Sequence, residues 1–110
     1  DIVADNYAFN DNIWFEQTPG HTPGHVSIRQ RSGGENAILS GDVVHTPIQC
    51  REPGWSAVGC SDREKSAVTR RAFLDRHCET DTLVMTGHFP SPSIGHLCRH
   101  GNTFGFAFSE

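Results

Sequence analysis

The sequence has no long apolar run, no excess of basic residues and no segment with the features of a signal peptide. Its longest apolar stretches, 83–85 and 104–108, are far shorter than the roughly 20 residues of a membrane-spanning helix. Lysine and arginine total 9 against 13 aspartate and glutamate residues, a formal net charge of −4. This charge provides no broad electropositive surface, so we predict no nucleic-acid partner. The short apolar runs likewise predict no membrane partner. The absence of signal-like features favours a cytoplasmic location.

The four cysteines lack the C-x-x-C spacing of zinc knuckles and of thioredoxin-like redox pairs. They are Cys50, Cys60, Cys78 and Cys98. We interpret them as small, partly buried residues without a catalytic role. No linker, long repeat or low-complexity segment divides the chain, so residues 1–110 are predicted to form one continuous unit.

Short apolar or alternating segments predict a series of β-strands. These segments are residues 2–4, 13–15, 25–29, 37–40 and 81–85. A terminal hairpin is predicted from 95–100 and 103–108, because Gly101 and Asn102 between them tolerate positive φ. Residues 46–59 show no periodicity and are predicted to form an irregular surface loop.

One helix is predicted between the strands, from Ser61 to about His77. Ser61 and Glu64 have the spacing of a capping box at its start. The face predicted to be buried carries Ala67, Val68, Ala72 and Phe73, and the face predicted to be exposed carries Arg63, Arg70 and Arg71. Strands, one helix and further strands together predict an α+β fold, a mixed arrangement of both elements.

Three residues with metal-binding side chains stand beside glycines at turns or strand ends. His21 lies in the segment 18–25, where two Pro-Gly pairs force a tight turn, and Asp42 and His88 each follow a predicted strand. Imidazole and carboxylate are ligands of catalytic zinc. Because these loops leave the same edge of one sheet, we expect the three side chains to converge. Taken singly, each also has an ordinary explanation, as an exposed turn histidine or an aspartate that accepts backbone amides.

Three motifs resemble the third, fourth and fifth metal-binding motifs of the metallo-β-lactamase superfamily, in their usual order. They are Thr18-Pro19-Gly20-His21-Thr22-Pro23-Gly24-His25, Ser40-Gly41-Asp42 and Gly87-His88-Phe89-Pro90. The segments 47–50, 69–74 and 90–95 further resemble the branch of lactonase-like and methyl-parathion-hydrolase-like enzymes. The resemblance implies the C-terminal half of a four-layer αβ/βα sandwich, with residues 1–110 forming the C-terminal part of that domain.

The resemblance also implies a role for each candidate site residue. His21 would complete a first zinc site, His88 a second, and Asp42 would bridge both, so that a complete domain holds two Zn²⁺. His25 would anchor its loop or orient a ligand, with a purely structural role as the alternative. His45, where related acyl-homoserine lactonases have a tyrosine, would face the substrate and donate a hydrogen bond to the developing oxyanion. A structural histidine is again the alternative.

The superfamily's H-x-H-x-D-H motif, which supplies two ligands to each metal, does not occur in these 110 residues and is expected upstream. The resemblance implies a metal-dependent hydrolase whose zinc-bound hydroxide attacks a small-molecule ester, lactone or phosphotriester. Two alternatives stay open: a non-catalytic fragment or degenerate domain serving in packing or association, and a small domain stabilised by structural zinc. A homodimer is left open as well. An isolated half would expose the apolar face that normally packs on the other half.

Overall fold

The computed structural model describes residues 2–109, which form a six-stranded mixed sheet with helices in one crossover. Its strands follow chain order across the sheet: β1 (Ile13–Gln17), β2 (Val26–Ser32), β3 (Glu35–Leu39), β4 (Leu83–Met85), β5 (Ile94–His100) and β6 (Thr103–Phe108). Only β3 and β4 pair in parallel. Parallel neighbours need a crossover, which here contains α1 (Ile48–Arg51) and α2 (Arg63–His77). The predicted α+β fold is confirmed.

The hydrophobic core lies between one face of the sheet and the helices. It is built from Ile38, Val84, Leu97 and Phe104 of the strands, Phe73 and Leu74 of α2, and Cys50 of α1. Burial of each large apolar side chain contributes about 1.5–3 kcal/mol. The opposite face carries a row of paired apolar residues, Ile28, Leu39, Met85 and Ile94, which are half-buried or exposed. Within residues 2–109, no helix has the length and hydropathy that a membrane span requires.

The register of the sheet brings three loops to one edge, which we call the site edge. Leu39 pairs with Met85 at the carboxyl ends of the parallel strands β3 and β4. Asp42 and His88 each stand three residues beyond this pair. Because β2 is antiparallel to β3, the β1–β2 loop with His21 reaches the same edge.

Two predicted segments differ from the structure. Residues 2–4 form no strand and are exposed. Residues 46–59, predicted to be irregular throughout, contain the four-residue helix α1. A single turn is too short to show periodicity, and this one is held by local hydrogen bonds to a side chain. The buried Gln49 accepts the backbone N–H groups of His45 at 2.6 Å and of Thr46 at 3.3 Å.

The helix α2 differs from its prediction at its cap and on its polar face. Asp62, and not Ser61, is the N-cap, since its carboxylate accepts the backbone N–H of Lys65 at 3.0 Å. Arg70, predicted to be exposed, is fully buried, while Val68 and Ala72, predicted to be buried, are exposed. A guanidinium can be buried only if its N–H groups find acceptors, and those of Arg70 find them in the crossover between β3 and β4.

A charged cluster joins β1 to α2 away from the site. Glu16 accepts hydrogen bonds from Arg76 at 2.5 Å and from His77 at 3.2 Å, and it lies 3.7 Å from Arg29. Burial alone would raise the pKa of Glu16. The hydrogen bond and charge of His77, with the charges of both arginines, outweigh burial and lower this pKa below its ordinary 4.5.

Candidate metal centre

The carboxylate of Asp42 is the centre of a histidine cluster at the site edge. Its Oδ2 lies 3.3 Å from Nε2 of His21. Its Oδ1 lies 2.7 Å from Nε2 of His88 and 3.7 Å from Nε2 of His45. The structure therefore brings together all three residues that the sequence indicated as metal ligands, and it adds His45. The two carboxylate oxygens face different histidines, as bridging of two ions would require.

The surrounding histidines keep the Asp42 carboxylate ionised. Partial burial would raise the pKa of Asp42, but the hydrogen bond from His88 and the charges of all three histidines outweigh it and lower the pKa. The ionised carboxylate is the form that binds a metal ion. The side chain of His88 is 52% exposed, against 20% for His21, so the centre is open on the side of His88.

His45 lies between the other two histidines of the cluster. Its ring centroid is 5.0 Å from those of His21 and His88, and its plane is tilted 24° from that of His88. Burial and the nearby charges of His21, His88 and Arg70 lower the pKa of His45, against the opposing effect of Asp42. Its Nδ1 is buried and has no hydrogen-bond partner among residues 2–109. Of the two ring nitrogens of His45, Nε2 is therefore the one that faces the site.

The donor set fits a divalent transition metal. His21, Asp42 and His45 each offer one ligand atom, and these atoms lie within 4.8 Å of one another. The 3.3 Å between Nε2 of His21 and Oδ2 of Asp42 is roughly the separation of two ligands about 2.0–2.1 Å from a tetrahedral zinc ion. Imidazole and carboxylate favour zinc, although manganese, iron and cobalt accept similar ligands.

His25 supports the centre through the backbone of Asp42. Its Nε2 accepts the Asp42 N–H at 2.8 Å, so its Nδ1 carries the proton and donates to the carbonyl of Thr18 at 3.0 Å. Burial lowers the pKa of His25, which favours this neutral form. Thr18 in turn contacts the Ser27 hydroxyl at 3.0 Å, and Ser27 donates to the carbonyl of Ser40 at 3.0 Å. These bonds connect the loop of His21 to the end of β3.

Gly41 permits the close approach of His25 to Asp42. Its φ of +58° lies in the left-handed region, where a side chain is strained. A Cβ at this position would lie only 2.7 Å from Nε2 of His25. The glycine of the Ser40-Gly41-Asp42 motif is therefore required both by the backbone turn and by the imidazole beside it.

Three further residues support the cluster and were not identified from the sequence. Cys60 places its Sγ 3.4 Å from Nδ1 of His21. Gln49 holds the backbone N–H of His45, and Arg70 donates to the backbone of the same segment. Only Gln49 is close in sequence to the residue it supports, so no spacing pattern could have indicated the other two.

Solved structures that resemble the chain have the metallo-β-lactamase fold, and the chain shares it. The resemblance predicted from the three motifs is confirmed at the level of the fold. No family model matches the sequence, and no curated protein sequence matches it.

Three similar structures illustrate the range of the match. AidC, a dizinc quorum-quenching lactonase, is 26% identical with a TM-score of 0.89 over 98% of this chain and 37% of AidC. AbOPH, a hydrolase in the β-lactamase superfamily, is 25% identical with a TM-score of 0.83 over 92% of this chain and 36% of AbOPH. A mutant of AiiA from B. thuringiensis, with N-decanoyl-L-homoserine bound at its active site, is 18% identical with a TM-score of 0.68 over 84% of this chain and 36% of AiiA. The chain thus spans little more than a third of each of these proteins.

Proposed function

We propose that the chain is part of a dinuclear zinc hydrolase acting on a small-molecule ester, lactone or phosphotriester. The observation that carries this proposal is the division of the Asp42 oxygens between His21 and His88. Each oxygen would serve one ion, with His21 completing the ligands of one and His88 those of the other. The similar structures include a dizinc lactonase of which this chain spans 37%, so the remaining ligands would come from residues outside it.

Two zinc ions, when bound, would lower the pKa of a water molecule to near neutrality and polarise the carbonyl or phosphoryl oxygen of the substrate. The chain's own residues would hold the ions and orient them. Asp42 would contribute a negative charge, and His21 and His88 would contribute Nε2 lone pairs, His88 after it loses the proton that it now donates to Asp42. His25 fixes the Asp42 backbone at 2.8 Å. With a nucleophile generated in this way, no serine or cysteine has to attack the substrate.

His45 is proposed to stabilise the substrate oxygen on which negative charge develops. Its lowered pKa favours a neutral ring with one N–H group. The buried Nδ1 has no acceptor within the described residues, so the proton belongs on Nε2, which faces the site near Asp42. A neutral donor in this position can bind an oxyanion without competing for a metal ion.

The test uses the complete protein, purified with zinc and supplied with phenyl acetate, an N-acyl homoserine lactone and an aryl phosphotriester. We expect hydrolysis of at least one substrate, lost on treatment with a chelator and lost in Asp42→Asn. His100→Ala is the matched control, because His100 is exposed at the end of β5 and far from Asp42 along the sheet. If the complete protein bound zinc yet hydrolysed none of the three, a non-catalytic domain serving in packing or association would be the better assignment.

A further inference from the structure

Arg70 is a buried cation whose acceptors are neutral. Its side chain is fully buried, and no carboxylate lies within salt-bridge distance of it among residues 2–109. Its Nε donates to the carbonyl of Val43 at 2.8 Å, and its Nη1 to the carbonyls of Pro53 at 2.7 Å and Trp55 at 2.8 Å. Val43 directly follows Asp42. Burying a charge is unfavourable unless its donors are satisfied, and those of Arg70 are satisfied in part by the segment that carries the candidate bridging carboxylate.

A second arm of the same network reaches His21. The Nη2 of Arg70 donates to the Ser66 hydroxyl at 2.9 Å, and the Cys60 thiol donates to that hydroxyl over 3.7 Å. Because the thiol proton points to Ser66, the sulfur can accept the Nδ1–H of His21 over 3.4 Å. With a zinc ion between His21 and Asp42, this bond would fix the tautomer of His21 whose Nε2 is free to bind the ion.

The backbone around this second arm is docked as closely as the side chains. The N–H of Ser61 donates to the carbonyl of His21 at 2.9 Å, and that of Asp62 to the carbonyl of Gly20 at 3.0 Å. A Cβ on Gly20, whose φ is +134°, would lie 2.4 Å from Cα of Ser66. The loop of His21 therefore lies directly on the first turn of α2.

We infer that Cys60, Ser66 and Arg70 are positioning residues that set the geometry of His21 and Asp42, and thereby the zinc affinity of the centre. The inference rests on the proposed function, since it takes His21 and Asp42 as metal ligands. It gives α2 a specific role, because one buried polar network connects both ligand-bearing segments to the same rigid helix. Contacts that orient a ligand's second nitrogen typically change metal affinity by about 10–100-fold when removed. A purely structural role would change the stability of the protein and leave the affinity of the folded form unaltered.

The first experiment removes the sulfur from the network in the complete protein. Cys60→Ala is expected to lower zinc affinity, measured by competition with a chelator, by about 10–100-fold. It should also change the ¹⁵N chemical shift of Nδ1 of His21 in the zinc-bound protein, because the Nδ1–H group loses its acceptor. Cys60→Ser should recover part of both, because the hydroxyl can replace the thiol. Cys78→Ala is the matched control, a buried cysteine at the opposite end of α2.

A second experiment tests the other arm, since the Cys60 variants leave Arg70 in place. Arg70→Lys keeps the charge but loses the planar set of donors, and Arg71→Lys is its matched control on the adjacent exposed position. We expect zinc affinity to fall by at least about 10-fold in Arg70→Lys and to stay unchanged in Arg71→Lys. The measurement is made at a temperature where circular dichroism shows both variants to be folded. Affinities equal to the controls in both experiments, with an unchanged ¹⁵N chemical shift of Nδ1 of His21, would overturn the positioning role while leaving the proposed function intact. A wild-type protein that binds no zinc would overturn both.

Discussion

Replacing Gly41 by alanine tests how Asp42 is held at the site. The new Cβ would lie 2.7 Å from Nε2 of His25 and 3.1 Å from its Cε1, far inside van der Waals contact. The imidazole would have to move, and the backbone N–H of Asp42 would lose the acceptor that it now has at 2.8 Å. The substitution therefore acts on the candidate bridging residue without changing any proposed ligand.

The magnitude can be divided with a matched control. Gly33→Ala, in the β2–β3 turn, has nearly the same φ of +59°, but its Cβ would meet no atom within 4 Å. A left-handed L-residue costs about 1–2 kcal/mol at either position. Only Gly41→Ala should also incur the roughly 1–3 kcal/mol of an amide left without its partner.

The assay is denaturant unfolding of the complete protein with metal removed by a chelator, followed by zinc titration of each variant. We expect Gly41→Ala to be less stable than Gly33→Ala by about 1–3 kcal/mol and to bind zinc more weakly. In a His25→Ala background the difference in stability should disappear, because no ring remains to be displaced. Equal stabilities for the two glycine variants in the wild-type background would refute the support of Asp42 by His25.

Three further substitutions, two at the site and one in the charged cluster of Glu16, have defined expected effects. His45→Ala should lower turnover by on the order of 100-fold at unchanged zinc stoichiometry, measured by steady-state kinetics and metal analysis. Unaltered turnover on both ester and phosphotriester would mean that His45 only supports the structure of its loop. His25→Ala should weaken zinc binding by about 10-fold in a chelator competition. An unaltered affinity would show that the contact of His25 with Asp42 does not contribute to zinc binding. The lowered pKa of Glu16 means that its interactions stabilise the fold above the ordinary value of 4.5 and are lost as the pH falls through the lowered value. Glu16→Gln should therefore reduce the loss of stability that denaturant unfolding measures between about pH 6 and pH 3, and a pH profile identical to that of the wild type would show that the cluster contributes nothing.

The parts of the fold that were predictable are those governed by local backbone chemistry. The hairpin around Gly101 and Asn102, and the turned segment 18–25, depend on residues that tolerate or impose particular φ values, and both are observed where the sequence placed them. The positions of Asp42 and His88 at strand ends were predictable from apolar patterning, since each follows a short segment that reads as a buried strand. Their convergence then follows from the parallel pairing of the neighbouring strands β3 and β4, in which Leu39 is opposite Met85.

The residues that were missed act through contacts remote in sequence. Cys60 meets His21 across 39 positions, and Arg70 meets Val43 across 27. An arginine on a helix is predicted to face solvent because an unpaired buried charge is costly. Only the folded chain shows that backbone carbonyls from the crossover, such as that of Pro53, surround the guanidinium and satisfy it.

Zinc anomalous diffraction from crystals of the complete protein would test the proposed dinuclear centre most directly. We expect two anomalous peaks at the site edge, each bonded to one oxygen of Asp42, with Nε2 of His21 on one ion and Nε2 of His88 on the other. His45 should be bonded to neither. A single ion held jointly by His21, Asp42 and His45, the three side chains whose ligand atoms already lie within 4.8 Å of one another, would contradict the bridging role of Asp42. So would zinc bound elsewhere with Asp42 free.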